Sequence, residues 1–487
     1  MTAETTVLRA GRVLPAADAP VLGASEIAFG PDGRIAAIRP LDPGALSEEE
    51  AGRLVVPALT DAHDHGRGLR TLAYGPRDQS LEIWLPDLAR QPRLDPWLNA
   101  VVALGRLARS GVGVVAHCHN TQDGRALLAE AEAVSRAARD VGIRVVFGWP
   151  FFDRNPMVYG ELERLAALLP EHMRERVRHA ETGMRDCATN MALIEQARAF
   201  EHAFFTLQYH PVAPQWARPE TLAAIAQTSA RENRRVHMHC LETEPQRRWA
   251  EAQHPAGLLA WLDELGLLND RLTLAHAVWL DERDIALLAA RGVTVSVNAS
   301  SNLRLRSGMP QLRAMLEAGV RVAFGLDGMA LDDDEDMLRE GRLAWHLGAR
   351  AQAPGYGTEP RAILQGLFEA GRCGTLGPDG GGRIEVGAPA DMLVLDFGAL
   401  ANDSVLPEPD VVALLLGRAR KEHVRALWVG GRRVVAEGHC TGIDLPALEA
   451  RLTAEAKAAY TAAPPDESAI AAMRDAIAQV YACGCSG

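Results

Sequence analysis

Lysine is nearly missing from this chain. Of its 51 basic side chains only Lys421 and Lys457 are lysine, and every other cation is arginine. Chemistry that needs a lysine amine is therefore excluded from everything before Lys421. Long apolar runs are absent too. No window approaches the ~18 uninterrupted apolar residues of a membrane helix. The opening MTAETTVLRAGRVLP lacks the basic-then-apolar order of an export signal. Positive charge is in deficit: a net charge of −12 offers no basic face to nucleic acid. Cysteine is sparse, with seven residues at 118, 187, 240, 373, 440, 483 and 485. An odd, scattered set in a chain of this size is no disulfide framework, so a reducing cytoplasm is expected. Cys483 and Cys485 in ACGCSG lack a second pair and read as a frayed end rather than a metal site.

What is present is an alternation. Short β-branched or apolar runs recur at 53–59, 111–120, 143–150, 202–210, 234–240, 271–278, 293–300 and 321–328. Between them lie segments of helical period such as ETLAAIAQTSARENR and DERDIALLAARG. Eight strand–helix units in series predict a parallel sheet closed into a (β/α)8 TIM barrel. The flanks differ. Residues 1–56 and 381–445 read as short strands with Gly/Pro/Asp turns, and together predict one small β-sandwich domain built from both chain ends. The barrel is assigned to 57–380, and 446–487 to a helical tail around a PPDES break.

Barrel enzymes place their chemistry at the C-terminal ends of the strands. Eight of the 15 histidines fall there: His63, His65, His117, His119, His210, His237, His239 and His276, with Asp327 after the last strand. In DAHDHG, His63 and His65 stand at i and i+2, on one face of a strand. Such a convergence of imidazoles with one aspartate suits a borderline divalent ion such as zinc or iron(II).

The motifs carry a resemblance. VVPALTDAHDHG resembles the PGxxDxHxH first strand of the amidohydrolase superfamily. VHMHCLETE is similar to the HxHxxE fifth strand of its cytosine/guanine-deaminase-like and triazine-hydrolase-like branch, and LAHAVWLDERDI to that branch's sixth strand. NASSNLRLRSG resembles NPxSNxxLxSG, FGLDGMALDDDEDMLRE resembles GTDxxxSNNxxDMxxE, and IEVGAPADMLVLD the return into the small sandwich. The resemblance implies one metal ion per chain, Zn2+ before Fe2+, held by His63, His65, His239 and Asp327. It implies Glu242 as proton shuttle and His276 as the partner of the nucleophile or developing oxyanion. Asp327 is thereby also expected to accept a proton. Two-metal relatives often bridge their ions with a carboxylated lysine, which this barrel lacks, so a single ion is expected.

The implied reaction is hydrolytic deamination of an amino-substituted nitrogen heterocycle. Rivals are cleavage of a cyclic amide or of another leaving group on a similar ring. A non-catalytic scaffold or metal-binding protein is a rival of another class, and it would have had reason to lose ligands or Glu242. Candidate substrate contacts are His117, His119, Gln208, His210, Gln215, Trp216 and Asn302. The loop 70–85 is a candidate lid or specificity loop, with Tyr74, Leu81 and Trp84 expected to pack against the barrel or a second subunit. DDDED (332–336) reads either as an acidic rim for cationic substrates or as a solvated loop at a helix start. A small-molecule substrate, no membrane and no nucleic acid are expected, and the resemblance suggests a homodimer or larger homo-oligomer.

Overall fold

A computed structural model describes residues 5–155, 157–349 and 358–482. At its centre are eight strands in sequential order: Leu59–Asp64, Val112–Cys118, Arg144–Phe151, Phe205–Pro211, Val236–Cys240, Leu272–His276, Thr294–Val297 and Arg321–Phe324. Every successive pairing is parallel. The eighth unit returns to the first, where the Asp327 N–H donates to the His63 carbonyl at 2.8 Å. The result is a (β/α)8 barrel. Its strands are covered on both faces, and so read as continuous apolar runs; all seven residues of Val112–Cys118 are buried.

Local sequence sets the helices that wrap it. Pro96–Arg109 begins where the Asp95 carboxylate accepts the Leu98 N–H at 2.8 Å and Pro96 takes the first turn. Its face of Leu98, Val101, Val102, Leu104 and Leu107 turns inward. Leu127–Val141 stops at Gly142, whose φ of +92° suits glycine.

Two further sheets lie beside the barrel. One is antiparallel, Thr6–Ala10, Ser25–Phe29 and Ile35–Pro40. The other has six strands and mixes both chain ends: Arg12–Val13 and Arg53–Pro57 join Met392–Asp396, Val424–Val429, Arg432–Ala436 and His439–Cys440. Leu8, Ile27 and Phe29 of the first meet Val55, Met392 and Val394 of the second in one apolar core. The 381–445 stretch is not all strand, for it carries the helix Val411–Arg418. Beyond it run the helices Leu445–Ala462 and Glu467–Ala482, while Cys483 and Cys485 lie outside the described residues.

One strand assignment is corrected. The run 53–59 is not the first barrel strand but two strands end to end. Arg53–Pro57 pairs antiparallel with Met392–Asp396, and the partner changes at the next residues. The Ala58 N–H bonds the Asp391 carbonyl and the Leu59 N–H the Gly111 carbonyl. Both strands are buried on both faces, so hydrophobicity carries no mark of the change. Among the described residues no helix is long and apolar enough to cross a membrane.

Candidate metal centre and catalytic cavity

The strand ends bring His63, His65, His239 and Asp327 together, with one ligand atom from each inside a 4.8 Å cluster. Asp327 Oδ1 lies 3.1 Å from His63 Nε2 and 3.0 Å from His65 Nε2, and His239 Nε2 lies 3.4 Å from His65 Nε2. Tetrahedral ligands about 2.0–2.1 Å from an ion stand roughly 3.3 Å apart, so the spacing fits one divalent metal. His63 Nε2 and Asp327 Oδ1 are buried with no hydrogen-bond partner, which in a protein interior calls for one.

The outer atoms of these side chains are engaged. His65 Nδ1 lies 2.7 Å from the Cys118 carbonyl, and His239 Nδ1 2.7 Å from the Val212 carbonyl. Each N–H is thus donated away from the cluster, and Nε2 is left bare for a metal. The Ser301 hydroxyl donates to Asp327 Oδ2 at 2.5 Å. Burial holds the His63 imidazole down at about 4, so it is neutral as a ligand must be. Burial opposes ionisation of Asp327, but His63 and His65 outweigh it and keep the carboxyl well below its usual range. Asp327 itself takes a left-handed backbone conformation, φ +59°, as does His276 at +70°. Such conformations are costly for residues other than glycine, and cluster where side chains must be aimed at a site.

Glu242 follows the fifth strand and is buried. Its Oε1 accepts the Ser307 hydroxyl at 3.1 Å, and its backbone N–H donates to Gln246 Oε1 at 2.8 Å. Its Oε2 lies 3.6 Å from His276 Nε2. Burial pushes the Glu242 carboxyl up to about 7, against the pull of His276. His276 Nδ1 is 3.0 Å from Asn302 Oδ1. A cavity of about 650 Å³ opens over His65, His239, Glu242, His276 and Asp327, within the range that holds small organic ligands.

The sequence profile of the amidohydrolase family matches residues 54–434. The chain belongs to the amidohydrolase family. It is 30% identical over 399 residues to a 5'-deoxyadenosine deaminase of Methanopyrus kandleri, spanning 80% of this chain and 83% of that one. It is 29% identical over 440 residues to an 8-oxoguanine deaminase of Pseudomonas aeruginosa, spanning 88% and 93%. A crystal structure of a zinc-bound adenosine deaminase from Xanthomonas campestris superposes with a TM-score of 0.76 at 25% identity, over 93% of this chain and 98% of that one. This amidohydrolase is a hydrolase of carbon–nitrogen bonds.

Several expected contacts fall elsewhere in this amidohydrolase. His117, His119 and Trp216 line the cavity. Yet His119 has both ring nitrogens engaged, Nδ1 3.2 Å from His117 Nε2 and Nε2 2.8 Å from the Glu130 carboxylate, whereas His117 Nδ1 is buried with no hydrogen-bond partner. The Cε1 edge of His117 presses on Gly66, where a methyl would stand 2.2 Å from it. Gln208 and His210 are buried in the barrel wall off the cavity; His210 Nδ1 bonds the His237 carbonyl at 2.8 Å. Gln215 lines a different cavity, beside Tyr159 and Trp249. Asn302 sits behind His276 and does not line the cavity.

The acids of the 332–336 loop are paired within the protein. Arg339 pairs with Asp332 and Asp334, Arg304 with Asp333, and Arg70 with Glu335. Asp336 caps the helix Met337–Leu347. All of these carboxylates but that of Asp332 are largely drawn into the protein.

The loop 70–85 packs against the barrel through Leu81 and Trp84. Leu81 and Trp84 are buried against Leu305 and Met329, and with Leu85 and Leu88 they form the cavity's apolar wall. Leu88 and the cavity-lining Arg67 escaped sequence reasoning, because nothing in their spacing marks them. Ser301 and Ser307 escaped it too, although both lie within the NASSNLRLRSG motif.

Proposed function

We propose that this amidohydrolase deaminates an amino-substituted nitrogen heterocycle, adding water and releasing ammonia. The observation that carries this reading is Glu242: a buried carboxyl, raised to about 7, facing His276 Nε2 at 3.6 Å on a cavity that also reaches His65, His239 and Asp327. The deaminases to which the chain is similar support it.

His63, His65, His239 and Asp327 would hold one divalent ion, zinc before iron(II), because three imidazoles and one carboxylate suit both. When bound, that ion supplies Lewis acidity and a nucleophile at neutral pH. The side chains do the rest. Asp327 and Glu242 stand where they can take a proton from the attacking water. Glu242, poised near neutrality, delivers that proton to a ring nitrogen as the water oxygen adds to the amine-bearing carbon. His276 donates from Nε2 to the oxygen that gains negative charge. A second proton, moved by the same carboxyls, reaches the exocyclic nitrogen. The carbon–nitrogen bond then breaks, ammonia leaves, and the ring keeps a carbonyl. Trp84 and Trp216 on the wall offer aromatic surface to a planar ring.

The test is ammonia release by zinc- or iron-loaded protein over aminopurines and their nucleosides, aminopyrimidines, pterins and aminotriazines, with Glu242→Gln as the blank. Ammonia from wild type, reduced about 100-fold or more in the blank, is the expected result. Ammonia at equal rates in both would overturn the role of Glu242. Ring loss without ammonia would replace deamination by another carbon–nitrogen cleavage.

A further inference from the structure

The three histidines of the metal centre are not held alike. His65 and His239 give their Nδ1 hydrogens to main-chain carbonyls, of Cys118 and Val212. His63 faces a side chain instead: its Nδ1 lies 2.9 Å from His237 Nε2, with the two rings 10° from parallel. Cys118 Sγ is 3.4 Å from the same Nδ1. All three residues are buried; His63 belongs to the cluster, and none of the three lines the cavity.

The hydrogen-bond direction follows from His63's two ends. To bind an ion, His63 Nε2 must be bare, so its hydrogen sits on Nδ1. That hydrogen needs an acceptor at 2.9 Å, and His237 Nε2 can accept only if its own hydrogen is on Nδ1. Were the direction reversed, His63 would carry its hydrogen on Nε2 and could not ligate. The His237 tautomer therefore decides whether His63 is a ligand at all. We propose that His237 is the positioning residue of the metal centre, fixing the tautomer and ring angle of His63. This rests on the metal reading above, and it singles out the one histidine ligand whose orienting acceptor is a side chain.

The geometry predicts which substitutions matter. His237→Leu leaves the His63 N–H buried without a strong acceptor, and outer partners of this kind typically contribute roughly 10- to 100-fold in metal affinity. His237→Gln can place Oε1 near the position of Nε2, an acceptor with no tautomer to choose, and should keep affinity close to wild type. Cys118→Ser should alter affinity little, because the thiol is the more distant neighbour.

The experiment is zinc affinity by competition with a chromophoric chelator, with stoichiometry by elemental analysis, for wild type and these three variants. Circular dichroism and urea unfolding report on folding. One zinc per chain, a 10- to 100-fold loss in His237→Leu and rescue in His237→Gln are expected. Equal affinity in His237→Leu overturns the proposal, as does an equal loss in the leucine and glutamine variants while both remain folded. Two zinc ions per chain, the second lost in Cys118→Ser, would mean that His63, Cys118 and His237 bind metal themselves, and would overturn it too. If wild type binds no zinc, the metal reading fails. The His63–His237 bond is then read by 15N NMR of the imidazoles, where absence of an Nδ1 hydrogen on His63 sinks it independently.

Discussion

His276 ends the sixth strand in a left-handed conformation, with Asn302 Oδ1 at 3.0 Å and Asn298 Nδ2 at 3.3 Å from its Nδ1. Asn298 is itself held, since its Oδ1 accepts the Ser296 hydroxyl at 3.0 Å. An amide oxygen and an amide NH2 thus both face Nδ1, and Asn302 is placed to work through His276 rather than on the substrate. Replacing it with leucine removes a buried polar partner of His276, a cost of about 1–3 kcal/mol. The part felt only in the transition state lowers kcat about 10- to 100-fold. KM and zinc content should stay near wild type in Asn302→Leu, as steady-state kinetics and elemental analysis would show. A rise in KM with unchanged kcat would restore Asn302 to the substrate. The residue was legible in the sequence, from its motif, but its role was not. An amide one shell behind a histidine and an amide on a substrate leave the same letter.

At the scale of elements the loop 332–336 makes the same point through charge. Five consecutive acids suggest an exposed field, yet they find partners in the following helix, Arg339, and in distant segments: Arg70, Arg304 and the Lys421 backbone. Arg304 is 2% exposed, so removing its Asp333 partner matters, whereas Asp332 is 63% exposed and its pair is worth ~0–1 kcal/mol. The double variant Asp332→Asn/Asp333→Asn should therefore unfold at lower urea while treating cationic and neutral substrates in the wild-type ratio of KM. A selective loss for cations would reinstate the rim. The helix that follows gives a pH signature. Glu340 is buried, accepts the Ser300 N–H at 2.9 Å and the Ser300 hydroxyl, and burial pushes its carboxyl from 4.5 up to about 7. A folded value above the unfolded one means no penalty at low pH, where both states hold the proton. Stability then falls as pH rises from about 4.5 to about 7, by up to roughly 1.4 kcal/mol per unit. Urea unfolding of Glu340→Gln across that window should show a shallower slope than wild type. An unchanged slope would assign it to other groups.

At the scale of the whole molecule, the eightfold alternation and the histidines at strand ends were legible because burial and chemistry both leave periodic marks. The change of sheet at Pro57–Leu59 and the cavity's apolar wall were not, because they depend on what packs from elsewhere. The helix Glu467–Ala482 shows why. It lies against Leu81–Trp84 and Leu85–Arg90, the segments that carry Trp84, Leu85 and Leu88 into the cavity. Glu467 takes the Arg90 guanidinium at 2.8–3.1 Å, and Ala476 and Ile477 pack with Val158, Leu165 and Met173. The Tyr481 hydroxyl accepts the Tyr159 N–H at 3.0 Å, and Tyr159 is tied through Gln246 to the backbone of Glu242. The far end of the chain thus braces one wall of the site while touching none of the metal centre. A chain ending at Ala463 should keep one zinc per molecule but bind substrate more weakly. Its KM should rise more than kcat falls, and residues 81–90 should exchange amide hydrogens faster, as segments stripped of buried contacts do. If KM and exchange in that segment match wild type, the brace is no brace, and the wall is held by Leu305 and Met329 alone.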